Sequence, residues 1–350
     1  MKILNIIDIP WHSGLAAYAF DQSSALAERG HSVFFAAPEN SAAAAFARAR
    51  AFPLTIIPRR RNYLILGALL DMKKLIDAKG IDIINAHTGK AQTMAWLLSH
   101  ITARPPVLVR TKADAKRPRL GFTLGSAALV ITGSKVIKEM YTEAGLSPDK
   151  TEVIYQGIIP LPAEESPPSD PLRVGMLGRL DPVKGHLCFL EAAALVLEKF
   201  PAAEFVVAGG EKNTKYSELE RRAGELGIAD KVKFLGHIPD AAAFNRSCDA
   251  GVVASLGSEA VSRAALEWLA AGRPLVATAV GCLPEFVQPE WLVPPQNPAM
   301  LAGKLLSLLQ SPEKRLAAGA ANRAKALKDF SLEAFADRTE SAFKRTIAEP

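Results

Sequence analysis

The stretch Leu172-Arg173-Val174-Gly175-Met176-Leu177-Gly178-Arg179-Leu180-Asp181-Pro182-Val183-Lys184-Gly185 opens the second half of a 350-residue chain. Leu172–Leu177 has the length and apolar character of a buried strand; glycine, proline and charge then mark a turn. The helical pattern Leu187–Lys199 and the strand Glu204–Ala208 follow. A strand, a turn at its carboxyl end, a helix and a further strand make one step of a parallel sheet covered by helices. The alternation continues through helix Ser217–Leu226 with Gly227 as its stop, strands Val232–Phe234 and Ala250–Ala254, helix Arg263–Ala271 ended by Gly272, strand Pro274–Ala277, and a helical tail from Ala299.

The preceding half reads the same way. Strands are predicted at Ile3–Ile9, Ser32–Ala37, Leu54–Ile57, Ile81–Ala86, Val107–Arg110, Leu129–Thr132 and Glu152–Tyr155, with a helix over Ala16–Arg29 that Gly30 ends. Between the halves, Pro160–Pro171 holds five prolines in twelve residues, which removes backbone donors and favours extended chain. The chain is therefore read as α/β, with one Rossmann-like domain over residues 1–162, a linker over 163–171, a second over 172–330 and a terminal helix over 331–350. Ligands of such sheets sit beyond the carboxyl ends of the strands, here in a cleft between two lobes.

Composition narrows the class. Apolar residues make up 49% and charged residues 22%, which argues against global disorder. No apolar run approaches the 18 or so residues of a membrane span. The opening Ile3-Leu4-Asn5-Ile6-Ile7-Asp8 reads as a first strand rather than a signal peptide. Three cysteines, Cys188, Cys248 and Cys282, have no metal-like spacing and suit a reducing, cytoplasmic compartment. The net charge of +6 is lopsided: residues 1–165 carry 20 Lys and Arg against 14 Asp and Glu, and residues 166–350 carry 22 of each. That asymmetry points to an anionic partner of the N-terminal half.

Four places carry more polarity than packing requires. Pro10-Trp11-His12-Ser13-Gly14 lies between a strand and a helix, where N–H groups and the helix dipole bind anions; a simple turn explains one glycine equally well. Arg179 and Lys184, five apart in a turn at a strand's carboxyl end, suit a diphosphate. Glu259 and Glu267 flank a helix start; a helix running through both would set them about 12 Å apart, too far for a glycosidase pair. Binding the two ends of an extended ligand fits that spacing better. His87 follows strand Ile81–Ala86 and is read either as a donor to a sugar hydroxyl or departing phosphate or as a satisfied structural histidine. No Asp-x-Asp, no His-x3-His, no P-loop and no GxGxxG occurs, so neither a metal nor another cofactor is expected.

In this order these residues resemble the retaining family 4 (group 1) glycosyltransferases of the GT-B fold. The matching pieces are Gly178-Arg179-Leu180-x3-Lys184-Gly185, Phe234-Leu235-Gly236-His237-Ile238, Glu259-x7-Glu267, Leu269–Thr278, and Gly281 with Glu285. Gly14, Leu26–His31, His87 and Phe330-Ser331 match more loosely. The resemblance implies two Rossmann-like lobes facing a central cleft, the first binding acceptor and the second nucleotide sugar, with the last helix crossing back to the first lobe. It implies that Arg179 and Lys184 neutralise the diphosphate, that Glu259 holds donor-sugar hydroxyls, and that Glu267 accepts from the ribose. Backbone near Arg263 and Ala264 would bind phosphate, Gly236, His237 and Ile238 would border the base, and His87 with Gly14 would complete the donor pocket. Ala260-Val261-Ser262-Arg263-Ala264 stands where the family often has Gly-Phe-Gly-Leu-Val.

The expected activity is transfer of a sugar from a nucleotide-diphosphate donor to a cell-envelope acceptor, an anionic glycan or glycolipid such as lipopolysaccharide core or a lipid-linked glycan, with retention of configuration and no nucleic acid involved. Arg59-Arg60-Arg61 with Tyr63–Leu66, and Arg110-Thr111-Lys112 through Lys116–Arg119, are read as loops meeting anionic headgroups at the cytoplasmic face of the inner membrane, or as ordinary solvated loops. A nucleotide-sugar epimerase of the same fold and a non-catalytic nucleotide or glycan binder are the alternatives.

Overall fold

The computed structural model describes all residues except 12, 59–61, 119–120, 160–168, 258 and 349–350, and the side chains of 62–64. Most of the proline-rich segment expected to link the halves lies outside the described residues. The chain forms two compact units, Met1–Gly157 with the chain from Leu332 onward, and Ile158–Ser331.

Unit 1 is built on β1 (Lys2–Ile6), β2 (Ser32–Ala37), β3 (Leu54–Ile56), β4 (Ile83–Ala86), β5 (Val107–Lys112), β6 (Leu129–Thr132) and β7 (Thr151–Val153). These pair in the order β3-β2-β1-β4-β5-β6-β7, all parallel. Unit 2 has β8 (Arg173–Leu177), β9 (Glu204–Ala208), β10 (Val232–Phe234), β11 (Ala250–Val253), β12 (Leu275–Thr278) and β13 (Leu292–Val293), in the order β10-β9-β8-β11-β12-β13, also parallel. Both are Rossmann-like doubly wound sheets, and both confirm the α/β reading.

Strand composition explains the layering. Ile3, Leu4 and Ile6, and Ile83 and Ile84, are all fully buried, as a strand covered by helices on both faces requires. In each sheet the winding reverses once, between β1 and β4 in unit 1 and between β8 and β11 in unit 2. The loops leaving those strands flank the natural ligand crevice of each sheet. Two local differences have plain causes. β1 stops at Ile6 because Asp8 and Pro10 follow; β5 continues through Lys112 because it pairs with β6 to that point, Lys112 opposite Thr132.

The terminal helix Leu332–Ala348 belongs to unit 1 and packs on the first helix, Gly14–Glu28. Phe335 meets Tyr18 edge-on, 5.1 Å between centroids at 80°. The Tyr18 hydroxyl donates to the Ile154 carbonyl at 2.6 Å. Arg29 pairs with Asp337 and Glu340 at the rim. Gly157 admits this helix: a Cβ there would lie 2.9 Å from Leu332 and Phe335. Because Phe335 is 1% exposed, Phe335→Ala is expected to remove about 3–5 kcal/mol of stability, read as a lowered urea midpoint with an unchanged slope.

Candidate functional site

In unit 2 three loops converge at the sheet's reversal point. The turn after β8 runs Gly178–Gly185, the loop after β11 runs Ala254–Ser262, and the turn after β12 contains Gly281. Main-chain bonds stitch them: Leu256 N–H donates to Val183 O at 2.7 Å and Cys282 N–H to Glu259 O at 2.7 Å. Two glycines permit that proximity. Gly185 (φ 76°) and Gly281 (φ 54°) occupy the left-handed region, and a Cβ on either would fall 2.0 Å from the carbonyl oxygen of Ala254 or Glu259.

Glu259 is only 3% exposed. A buried carboxylate needs partners, and Oε1 has two: Lys184 Nζ at 2.5 Å and the Ser255 hydroxyl at 2.5 Å. Ser255 is itself fixed, its carbonyl accepting from the Thr278 hydroxyl at 2.6 Å. Arg179 stands on the same turn as Lys184 with its side chain 52% exposed, 3.8 Å from Asp181. Asp181 is occupied in holding the turn, accepting from Val183 N–H at 3.2 Å and from Asn213 at 2.9 Å.

The helix predicted over Arg263–Ala271 forms, one residue shorter at its end. The helix is Arg263–Ala270, so Glu259 lies in the loop ahead of it and the 12 Å helical spacing does not apply. Glu267 is in that helix, its side chain 19% exposed, and accepts from Arg263 Nε at 3.0 Å. Ser262 caps the helix start without a side-chain bond, leaving its first turn, at Arg263 and Ala264, uncapped by a hydroxyl. Gly236 (φ 71°) follows β10 and its carbonyl accepts from Gly209 N–H at 2.8 Å; His237 beside it is exposed and Ile238 half-buried. The structure thus joins Lys184 directly to Glu259 and Arg263 to Glu267, and sets Arg179 on the turn that carries Lys184.

Gly14 and His87 lie in unit 1. Gly14 is the first residue of its helix, behind the Ser13 cap, whose hydroxyl accepts from Ala16 N–H at 3.3 Å. His87 corrects an expectation. It is fully enclosed, and its Nε2 lies 3.0 Å from Asn5 Oδ1. An amide oxygen carries no proton, so Nε2 donates and Nδ1 is a bare acceptor without a hydrogen-bond partner. His87 in this form cannot donate from Nδ1, and no part of it reaches solvent. It joins a buried polar row: Asn85 donates to Asn5 at 3.2 Å and to Gln22 at 2.9 Å, and accepts from Thr111 at 2.8 Å.

A second correction concerns Arg110 and Lys112. They are not solvated loop residues but the end of β5, each 5% exposed. Lys112 pairs with Asp114, and burial lowers its pKa. Neither cation is thus a freely solvated loop charge; Arg59, Arg60 and Arg61 fall outside the described residues. Ser255 escaped the sequence reading because a single polar residue just beyond a strand looks like any loop residue. Among the described residues, no group of three or more His, Cys, Asp and Glu is placed to hold a metal. The thiols are buried, and burial pushes Cys248 up to about 12.

Burial, with Arg110 nearby, lowers the pKa of His87 to about 3, and burial lowers that of His186 to about 4. An unfolded histidine binds its proton below about 6.5, so the unfolded state holds more protons between these values. Stability should therefore fall as pH drops from 6.5 toward 4. Urea titrations across that range should show the decline, with a shallower slope in His186→Gln.

Residues 171–311 match the family profile described as Glycosyl transferases group 1. Residues 12–160 match that of Glycosyltransferase Family 4. The D-inositol 3-phosphate glycosyltransferase of Frankia alni is 32% identical over 238 residues, 58% of this chain and 58% of that protein. Its namesake in Mycobacterium bovis is 30% identical over 307 residues, 77% of this chain and 62% of that one. The chain thus spans about three fifths of the length of these curated relatives. Among solved structures, Anabaena HepE in complex with UDP superposes with a TM-score of 0.85 at 21% identity, covering 99% of this chain and 100% of that one. A glycosyltransferase from Rickettsia africae gives 0.88 at 18% identity, covering 100% and 99%. At these identities the structures attest the fold, which is that of GT-B glycosyltransferases. The two profiles between them take in most of both units, and the chain belongs to the group 1, family 4 glycosyltransferases.

Proposed function

We propose that the protein transfers a sugar from a UDP-linked donor to an acceptor hydroxyl, with the donor seated on the three loops of unit 2. The observation that carries this reading is the buried Glu259 carboxylate clasped by Lys184 and Ser255. A carboxylate and an ammonium held together at a sheet's reversal point offer a hydroxyl acceptor and a phosphate partner side by side. In the complex, Lys184 and Arg179 meet the diphosphate, Glu259 accepts from hydroxyls of the donor sugar, and Glu267 accepts from the ribose. The first turn of helix Arg263–Ala270 adds main-chain N–H groups to a phosphate, and Gly236–Ile238 border the base.

The chemistry asks mainly for stabilisation of a departing diphosphate as positive charge builds at the anomeric carbon. Fixed cations and helix N–H groups provide that stabilisation, and we propose that no metal is needed and that configuration is retained. UDP is favoured over other nucleotides because HepE, of the same fold, has been solved with UDP and with UDP-glucose. For the acceptor we favour an anionic glycan or glycolipid of the cell envelope. Support comes from the positive excess of residues 1–165 and from curated relatives named for a phosphorylated inositol. Peripheral contact with an anionic membrane would fall to exposed Lys116 and Arg117. No helix among the described residues is long and apolar enough to cross a membrane.

Thermal shifts with UDP, GDP, ADP, CMP and dTDP test the donor: UDP should raise the melting temperature most, by mass action. Arg179→Ala should weaken UDP binding about 10- to 100-fold, the worth of a charge-assisted bond. Glu259→Ala should instead lower turnover about a hundredfold or more while UDP affinity changes little. Unaltered calorimetric affinity in Arg179→Ala, or no response to any nucleotide, would overturn the donor site. Turnover should persist in excess chelator; complete loss restored by magnesium would refute metal independence.

A further inference from the structure

The carboxyl end of β5 in unit 1 holds charges that the donor site does not use. Arg110 and Lys112 are two residues apart in a strand and so share a face. Each is 5% exposed. Arg110 donates to the Ala86 carbonyl at 3.2 Å and meets the Tyr141 hydroxyl. Lys112 is held by Asp114, whose side chain is 30% exposed and which also accepts from Lys116 N–H at 2.9 Å.

As a means of stability this arrangement is poor. Desolvating two cations is expensive, and a well-packed apolar replacement serves a fold as well or better. Its position argues for another use. It lies at the ligand-facing end of a parallel sheet, one strand from the reversal point between β1 and β4. The loops on either side of that point are tied together by the Thr88 hydroxyl donating to Asp8. A partly exposed carboxylate on a loop, neutralising a buried ammonium at such a point, is the place an incoming anion would take. The surrounding cations Lys116 and Arg117 are exposed and lie on the same loop as Asp114.

We propose that Arg110 and Lys112 recognise an anionic group, a phosphate or a carboxylate, on the acceptor, and that this group displaces Asp114 from Lys112. The assignment rests on the reading of the chain as a transferase with its donor on unit 2. Asp8 and Thr88 would then face hydroxyls of the same acceptor.

The test uses the full chain with UDP present in excess, so that the donor site is filled, and inorganic phosphate as the probe. Thermal unfolding is followed against phosphate concentration at constant ionic strength, with chloride as the control. The wild type should be stabilised by phosphate over chloride. Lys112→Met should lose that response, and Asp114→Asn, which removes the competing carboxylate, should show it at roughly tenfold lower phosphate, a change of about 1.4 kcal/mol. The gain in Asp114→Asn cannot arise from misfolding. Equal phosphate responses in all three proteins, or none in the wild type, overturn the proposal. UDP affinity measured on the same proteins reports on the donor reading separately; its absence would sink that reading while the phosphate series still decides this one. Once the phosphate response is established, phosphatidylglycerol vesicles identify the source of the anion. Pelleting that phosphate competes away and Lys112→Met reduces assigns a lipid headgroup, and pelleting indifferent to both assigns a soluble acceptor.

Discussion

The organisation of unit 2 turns on one buried carboxylate. Glu259 is withdrawn from water in a loop with no regular structure, and its charge is tolerable only because Lys184 and Ser255 reach it from two other chain positions. Each partner is in turn constrained. Lys184 ends a single turn of 3-10 helix whose entry Asp181 caps, and Ser255 is anchored through Thr278 at the end of β12. The loops after β8, β11 and β12 are thereby one object. A ligand that draws Lys184 away must also bring donors to Glu259, as the hydroxyls of a sugar attached to a diphosphate do.

Unit 1 solves a related problem with neutral groups. Asn5, Asn85 and Thr111 stand on neighbouring strands and satisfy one another beneath the first helix, with Gln22 and His87 closing the row. Such a network is rigid when complete and costly when broken. It fixes the position of the strand ends from which Asp8, Thr88, Arg110 and Lys112 project. The two units therefore present different chemistry on the same scaffold: a clasped acid and base in one, a pair of enclosed cations in the other.

Much of this was legible beforehand. Alternating apolar runs and glycine stops marked the strands and several helices, because buried parallel strands read as continuous apolar segments. Arg179, Lys184, Glu259 and Glu267 stood out because each sits beyond a strand's carboxyl end or on an otherwise apolar helix. What was not legible depends on register. Arg110 and Lys112 look like loop charges until pairing with β6 extends β5 to Lys112. His87 looks available until Asn5, 82 positions earlier, is brought beside it. In each case the deciding partner is far away in sequence, and local pattern carries no record of it.

Unit 1 is discontinuous, and this has a consequence for biosynthesis. Its final helix is encoded after the whole of Ile158–Ser331. At a ribosomal pace of 5–20 residues per second, the intervening 174 residues take roughly 10–35 s to emerge. Throughout that interval the apolar flank of Tyr18 that Phe335 finally covers stays bare on the nascent chain. The C-terminal unit, being continuous, is free to finish first, so the order of maturation inverts the order of translation, and the earlier-made half is the one that needs shelter from aggregation.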